Sequence, residues 1–263
     1  MELKVFESPA DVARAAAQHF VEQSQAAVRR SNGFAVALSG GSTPKLLYEL
    51  LANPNEPFRQ QIPWDKTFFF FTDERNVPPD HPDSNYRMVH EAMFAHAPKT
   101  RVLRILGEKP ADQAAKDYEH IFEELFEENI PDLDLIFLGL GEDGHTASLF
   151  PHSPALAETE RLVVAPYVEK LNAYRITLTL PVLNNGNSTV FLVTGASKAT
   201  VLREVISADK KPDGRDINLY PAQAISPTNG AVSWFTDSAA ARLCSNNNSS
   251  NTGAGNDLLN KNP

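Results

Sequence analysis

The chain has 263 residues, a net charge of −9, and an ordinary globular balance of 42% hydrophobic and 22% charged residues, which argues against wholesale disorder. Its acidity makes nucleic acid a poor partner, because phosphate backbones are held by basic faces, and no stretch reaches the roughly 18–20 apolar residues of a bilayer span. One cysteine, Cys244, excludes an internal disulfide framework and a multi-cysteine zinc site.

In chain order, MELKVFESPADVARAA lacks a basic start followed by an apolar run, so no secretory signal is read and a cytoplasmic location is expected. Ser8-Pro9 followed by Asp11 reads as an N-cap, a first-turn proline and an acidic third position, opening a helix through about Arg29. Phe34 to Leu38 (FAVAL) reads as a buried strand, Pro44 to Leu51 as a helix and Thr67 to Thr72 (TFFFFT) as another strand. Asn85 to Phe94 is predicted helical and Arg101 to Ile105 a short strand. Tyr118, Ile121, Phe122, Leu125 and Phe126 recur at helical spacing, giving an amphipathic helix whose acidic outer face is solvated.

Leu133 to Leu140 (LDLIFLGL) is a third core strand, followed by strands at Leu162–Val168, Ile176–Leu180 and Thr189–Thr194. A helix is predicted from about Ala196 to Ser207, and a last strand and helix within Val232–Leu243. Strands apolar on both faces and separated by helices imply an α/β fold, a Rossmann-like, mostly parallel sheet with helices on both faces. One domain over residues 1–244 is the simpler reading, with room for a small subsidiary lobe after residue 150. From Ser245 the sequence SNNNSSNTGAGNDLLNKNP has almost nothing to bury, so residues 245–263 are expected to be a disordered polar tail.

Ligands of open α/β sheets bind beyond the carboxyl ends of the strands, and four loops leave core strands there with unusual chemistry. The first, Ser39-Gly40-Gly41-Ser42-Thr43-Pro44, is glycine-rich and opens a helix, which suits an anion; a plain capped turn would look the same. The second, Thr72-Asp73-Glu74-Arg75, ends a strand of four phenylalanines with charges that need partners. The third, Gly139 to Ser148, holds three glycines with Asp143 two residues before His145, the residue type suited to proton transfer near neutral pH. The fourth, Thr194-Gly195-Ala196-Ser197-Lys198, puts Lys198 in a helix's first turn, where the dipole disfavours a cation unless an anion compensates it. No Walker loop, GxGxxG, GxSxG or HExxH motif is present, and the remaining histidines show no metal-ligand spacing, so no metal or other cofactor is expected.

Taken together, ALSGGSTPKLLYELL, FTDERNVPPDHPDSNYRMVHEAMF, LDLIFLGLGEDGHTASLFP, RITLTLPVLNN and VFLVTGASKA resemble the 6-phosphogluconolactonase family across roughly residues 5 to 243. The wider group includes glucosamine-6-phosphate deaminase and ribose-5-phosphate isomerase. The resemblance implies hydrolysis of a phosphorylated sugar lactone, with His145 as catalytic histidine and Asp73, Arg75 and Asp143 around it. It places phosphate binding on Gly40, Gly41, Ser42 and Thr43, with Arg175 and Lys198. Either Asp143 or Asp73 can orient the imidazole, and Arg75 suits the developing oxyanion. Arg175 precedes its predicted strand, and an antiparallel edge strand would bring it to the same face. The rival readings are an amino-sugar-phosphate deaminase or isomerase of the same fold and a non-catalytic sugar-phosphate sensor. Oligomeric state is not legible.

Overall fold

The computed structural model describes residues 1–127, 129–208 and 214–244. The expected polar tail, 245–263, lies outside the described residues. The first six strands are β1 (Glu2–Phe6), β2 (Phe34–Leu38), β3 (Thr67–Phe71), β4 (Asp73–Arg75), β5 (Arg101–Val102) and β6 (Leu135–Leu138). Then come β7 (Val163–Val164), β8 (Tyr167–Val168), β9 (Ala173–Leu178), β10 (Ser188–Val193) and β11 (Ala231–Asp237). Helices are α1 (Pro9–Ser31), α2 (Ser42–Ala52), α3 (Phe58–Gln61), α4 (Asn85–Val89), α5 (Ala111–Leu125), α6 (Leu180–Leu183), α7 (Ala199–Ile206) and α8 (Ser238–Ala241).

Seven strands form one parallel sheet in the order β1-β11-β10-β6-β2-β3-β5, as an α/β reading requires. From β2 the chain steps outward to β3 and β5, then returns to lay β6 on the other side of β2 and continues through β10 to β11. The β2/β6 junction is therefore the topological switch point, where loops diverge and leave a crevice. A second, smaller antiparallel sheet, β4-β9-β7 with β8 also on β9, stands beside it. That is the subsidiary element expected after residue 150, except that β4 joins it from before α4.

The main sheet is covered on both faces, and neighbouring residues of β3 show it. Phe69 packs against Phe20 of α1, with ring centroids 6.2 Å apart. Phe70, pointing the other way along the pleat, stacks on Phe122 of α5 at 4.8 Å. Helix α1 begins where read, capped by Ser8 and Asp11 with Pro9 in its first turn, and ends on left-handed Asn32. Its buried Phe20 also meets Phe34 of β2 at 5.3 Å and Phe137 of β6 at 6.4 Å, anchoring three central strands together.

Two strand exits are clamped alike. The buried Tyr48 hydroxyl accepts from the Ser39 N–H at 3.1 Å and donates to its carbonyl at 2.8 Å, just past β2. The buried Tyr118 hydroxyl accepts from the Phe71 N–H at 2.7 Å and donates to its carbonyl at 3.1 Å, at the end of β3. Each oxygen satisfies two backbone groups where a ladder stops, and burial pushes both phenols up.

Several elements differ from the sequence expectations. Of the expected Arg101–Ile105 strand, β5 keeps Arg101–Val102, with the Leu103 N–H also donating to the Phe69 carbonyl at 2.8 Å. Strand β6 is trimmed to Leu135–Leu138 by the glycines that follow, and Leu162–Val168 divides into β7 and β8. Asn85–Phe94 is an α turn continued by a π turn, His90–Phe94. The helix expected from Ala196 opens as a 3₁₀ turn, Ala196–Lys198, before α7. Arg175 lies inside β9, not ahead of it, and β9 is antiparallel but central to the second sheet. Among the described residues, no helix is long and apolar enough to cross a membrane.

Candidate active site

The loop after β2 is built to present backbone amides. Gly41 caps α2 at φ 111°, a conformation that favours glycine, and no side chain takes the cap bond of that helix. The first N–H groups of α2 are thus left for an anion. Gly40 is demanded by close approach, since a β-carbon there would sit 1.9 Å from Asn85 Oδ1. The loop is tied to the exit of β10 by a 2.7 Å hydroxyl–hydroxyl bond between Thr43 and Thr194. Ser39, at the start of this loop, has a buried hydroxyl without a hydrogen-bond partner.

After β6 the chain folds back on itself. The Gly141 N–H donates to the His145 carbonyl at 2.8 Å, and the Thr146 hydroxyl to the Gly139 carbonyl at 2.9 Å. This turn sets the His145 ring against Asp143, with Nδ1 2.5 Å from Oδ1. A carboxylate can only accept, so Nδ1 carries a proton, and in the neutral ring Nε2 is then the nitrogen left with a lone pair. Asp143, not Asp73, therefore orients the imidazole. Phe150 lies against the other side of the ring, with centroids 4.2 Å apart. Burial pushes the Asp143 carboxyl up, but bonds from His145 and Lys170 outweigh it and hold Asp143 well below the usual carboxylate range.

Asp73 and Glu74 on β4 face different tasks. Buried Asp73 accepts from the Ser148 hydroxyl at 2.6 Å, and from Thr72 Oγ1 and Asn85 Nδ2 at 3.3 Å each. Glu74 gathers four donors, the Ser84 hydroxyl and the N–H groups of Arg75, Asn85 and Tyr86, at 2.7–3.0 Å. Burial raises its carboxyl, partly offset by those backbone donors. Glu74 is thus the brace that seats the start of α4, which explains why one acid of the Asp-Glu-Arg run faces inward. Arg75 donates to the Asp83 carbonyl at 2.5 Å and stands opposite Arg175 in register. Burial, then the nearby charge of Arg75, depress the Arg175 guanidinium.

The four loops converge on one cleft of about 260 Å³ at the carboxyl ends of β2, β3, β6 and β10. Its walls include Gly40, Gly41, Ser42, Thr43, Asp73, Arg75, His145 and Lys198 from the expected set. Asp143 stands behind His145, and Arg175 lies across the strand pair from Arg75, outside the lining. Sequence reasoning missed Asn85, Ser148, Phe150 and Lys170, which hold the lining residues in place. Asn85 and Ser148 had a signal, their place in the segments that carry the resemblance; Lys170 had none. A larger cavity, about 420 Å³, opens at the start of β11 and gathers none of these loops. Among the described residues, no three His, Cys, Asp or Glu side chains are grouped to hold a metal ion.

The chain is similar to known proteins over most of its length. The family model described as glucosamine-6-phosphate isomerases/6-phosphogluconolactonase matches residues 7–234. A 6-phosphogluconolactonase of a Nostoc species is 40% identical over 221 residues, 81% of this chain and 86% of that protein. The rat 6-phosphogluconolactonase is 36% identical, covering 92% of this chain and 93% of its own. Among solved structures, 6-phosphogluconolactonase from Trypanosoma cruzi superposes with a TM-score of 0.78 at 30% identity, over 92% of this chain and 96% of that one. A monomeric glucosamine-6-phosphate deaminase shares the fold, with a TM-score of 0.75 at 18% identity. By the span of the family match and by these identities over most of both chains, this chain belongs to the glucosamine-6-phosphate isomerase/6-phosphogluconolactonase family.

Proposed function

We propose that the chain hydrolyses 6-phospho-D-glucono-1,5-lactone to 6-phosphogluconate, the lactonase step of the oxidative pentose phosphate pathway. One observation carries the reading beyond the family: an imidazole oriented by a carboxylate shares its cleft with a helix N-terminus, an arginine and a lysine. A lactone is an activated cyclic ester, so water can attack it without a covalent enzyme intermediate. In the proposed reaction His145 Nε2 takes a proton from water as the oxygen adds to the lactone carbonyl. Arg75 faces the oxyanion that forms, and the intermediate collapses by expelling the ring oxygen, which receives the proton from His145. A positioned acid–base group contributes about 10²–10⁴-fold, and an oxyanion donor roughly 3–4 kcal/mol.

The proposed phosphate cradle is the start of α2 (Gly40, Gly41, Ser42, Thr43) with Lys198, and Arg175 supplying positive charge from β9. Holding the remote phosphate fixes the ring against His145 and Arg75. The reading needs no metal or other cofactor. It takes residues 1–244 as one domain with a small-molecule substrate in the cytoplasm, and no nucleic-acid or membrane partner. The test is acid release from freshly prepared lactone, measured above the spontaneous rate, with glucosamine-6-phosphate as counter-screen. Ammonia release from the amino sugar with no lactone turnover would overturn it in favour of the deaminase.

A further inference from the structure

Lys170 reaches the site from a part of the chain that no motif marks. It sits in the 3₁₀ turn Glu169–Leu171 at the tip of the β8–β9 hairpin. The hairpin is stiffened by left-handed Asn172, by a Tyr167 hydroxyl bond to the Asn172 side chain, and by edge-to-face packing of Tyr167 on Tyr174 at 5.0 Å. From there the ammonium donates to Asp143 Oδ2 while also lying 4.5 Å from the centre of the Phe150 ring. Asp143 is therefore held at both oxygens, Oδ1 by His145 and Oδ2 by Lys170. Phe150 is shared in the same way, its ring touching both the imidazole and the ammonium.

We propose that Lys170 is a positioning residue for the lactonase reaction: by bonding the outer oxygen of Asp143 it fixes that carboxylate in place and offsets its charge, and so sets the pH above which His145 serves as a base. The inference rests on the proposed role of His145. An unshielded carboxylate beside an imidazole favours the imidazolium, which cannot accept a proton from water. A cation on the far oxygen weakens that pull without disturbing the Nδ1 bond that orients the ring. Other charged groups face the same imidazole. Asp73 and Arg75 from β4 and Lys198 from the turn before α7 line its cleft. Tyr220 packs at Gly144 behind the loop. Among the charged side chains of the described residues, Lys170 is the one that bonds the carboxylate that bonds the ring.

The experiment compares the full-length wild type with Lys170→Met and Lys170→Arg, recording kcat/KM for the phosphorylated lactone against pH. Methionine keeps an unbranched stem over Phe150 and removes the charge; arginine keeps the charge. The acid limb of the Lys170→Met profile should move up by about one pH unit. That costs close to tenfold on the acid side, and the gap to the wild type should narrow as pH rises. Lys170→Arg should return the limb toward its wild-type position. In parallel, the His145 ring resonances, assigned by their loss in His145→Asn, are titrated by NMR in all three proteins. Their midpoint should move up in Lys170→Met alone. An unmoved limb, or a loss equal at every pH, overturns the inference and leaves Lys170 a structural contact. A wild type without lactonase activity overturns the proposed function instead, and the NMR midpoints still decide whether Lys170 governs the protonation of His145.

Discussion

Arg75 and Arg175 stand directly opposite each other on the antiparallel pair β4–β9. Each guanidinium's hydrogen bonds go to carbonyl oxygens, Arg75 to Asp83 at 2.5 Å and Arg175 to Tyr174 at 3.3 Å. Like charges facing across a strand pair destabilise it, and the proposed substrate phosphate is an anion that would offset this pair's repulsion.

From that arrangement, Lys198→Ala and Arg175→Ala should each lower kcat/KM for the phosphorylated lactone by roughly 10–150-fold, the equivalent of losing a charge-assisted bond of about 1.5–3 kcal/mol. Against unphosphorylated gluconolactone the variants should match the wild type. Arg175→Ala should also melt no lower than the wild type, since it relieves a like-charge contact. Equal losses on both lactones would place these cations at the reacting centre and overturn the phosphate assignment.

For His145→Asn the expected result is a kcat lowered by about 10²–10⁴-fold with the affinity for a substrate analogue nearly unchanged. Steady-state kinetics beside calorimetric binding of 6-phosphogluconate separates the two. A wild-type kcat would mean another group is the base.

Gly141 offers a test that removes no functional group. A β-carbon there would lie 2.0 Å from His145 Nδ1 and 2.7 Å from Asp143 Oδ1. Gly141→Ala should therefore displace the imidazole and cost catalysis nearly as much as His145→Asn, while far-ultraviolet circular dichroism stays that of the wild type. Undiminished turnover would show that the Asp143–His145 pairing is dispensable.

His19 connects stability to pH away from the cleft. It is part-buried, bonded to the Ser188 hydroxyl at 3.0 Å and packed edge-on against Phe235. Burial lowers its pKa from the usual 6.5. With the folded value depressed, the unfolded chain binds the extra proton first, so this contribution is complete above about 6.5 and is lost as pH falls below it. The melting-temperature advantage of the wild type over His19→Gln should shrink from pH 7.5 toward pH 5.5. An advantage independent of pH would remove His19 as the cause.

Activity should survive dialysis against a chelator, because no ligand group for a metal is visible among the described residues and the ester is already reactive. A large loss restored by one divalent ion would contradict this.

Much of this was legible in the sequence because burial and backbone chemistry leave local marks. FAVAL and TFFFFT are apolar on both faces, as strands inside a covered sheet must be, and β2 and β3 coincide with them to within a residue. The strand-end loops were legible because glycine, a helix start and an acid–imidazole pair rarely coincide by chance. What escaped lacks such marks. Strand β1 is almost wholly exposed and pairs only with β11, so its residues carry no core pattern. The first half of β9 is half-exposed, which hid Arg175 inside a strand. Glycine-dependent Gly195, with its N–H held by Asp237 from β11, tightens the next residues into a 3₁₀ turn that periodicity does not report. Lys170 is 27 residues from Asp143 and meets it only through the hairpin's fold.

The junction of β2 with β6 has a consequence for when the protein becomes active. The two strands meet through Val36↔Leu135 and Ala37↔Ile136, nearly a hundred residues apart in sequence, and this seam joins the two halves of the sheet. The loop proposed to grip the phosphate comes from one half, and the imidazole from the other. A chain released up to α5 would possess Gly41, Asp73 and Arg75 but not the proposed base; the remainder would possess His145, Arg175 and Lys198 but not the α2 part of the proposed cradle. Pairings of such long range are slow to form. On the proposed roles, a nascent chain is inert toward sugar lactones until its second half has been made and has docked beside the first.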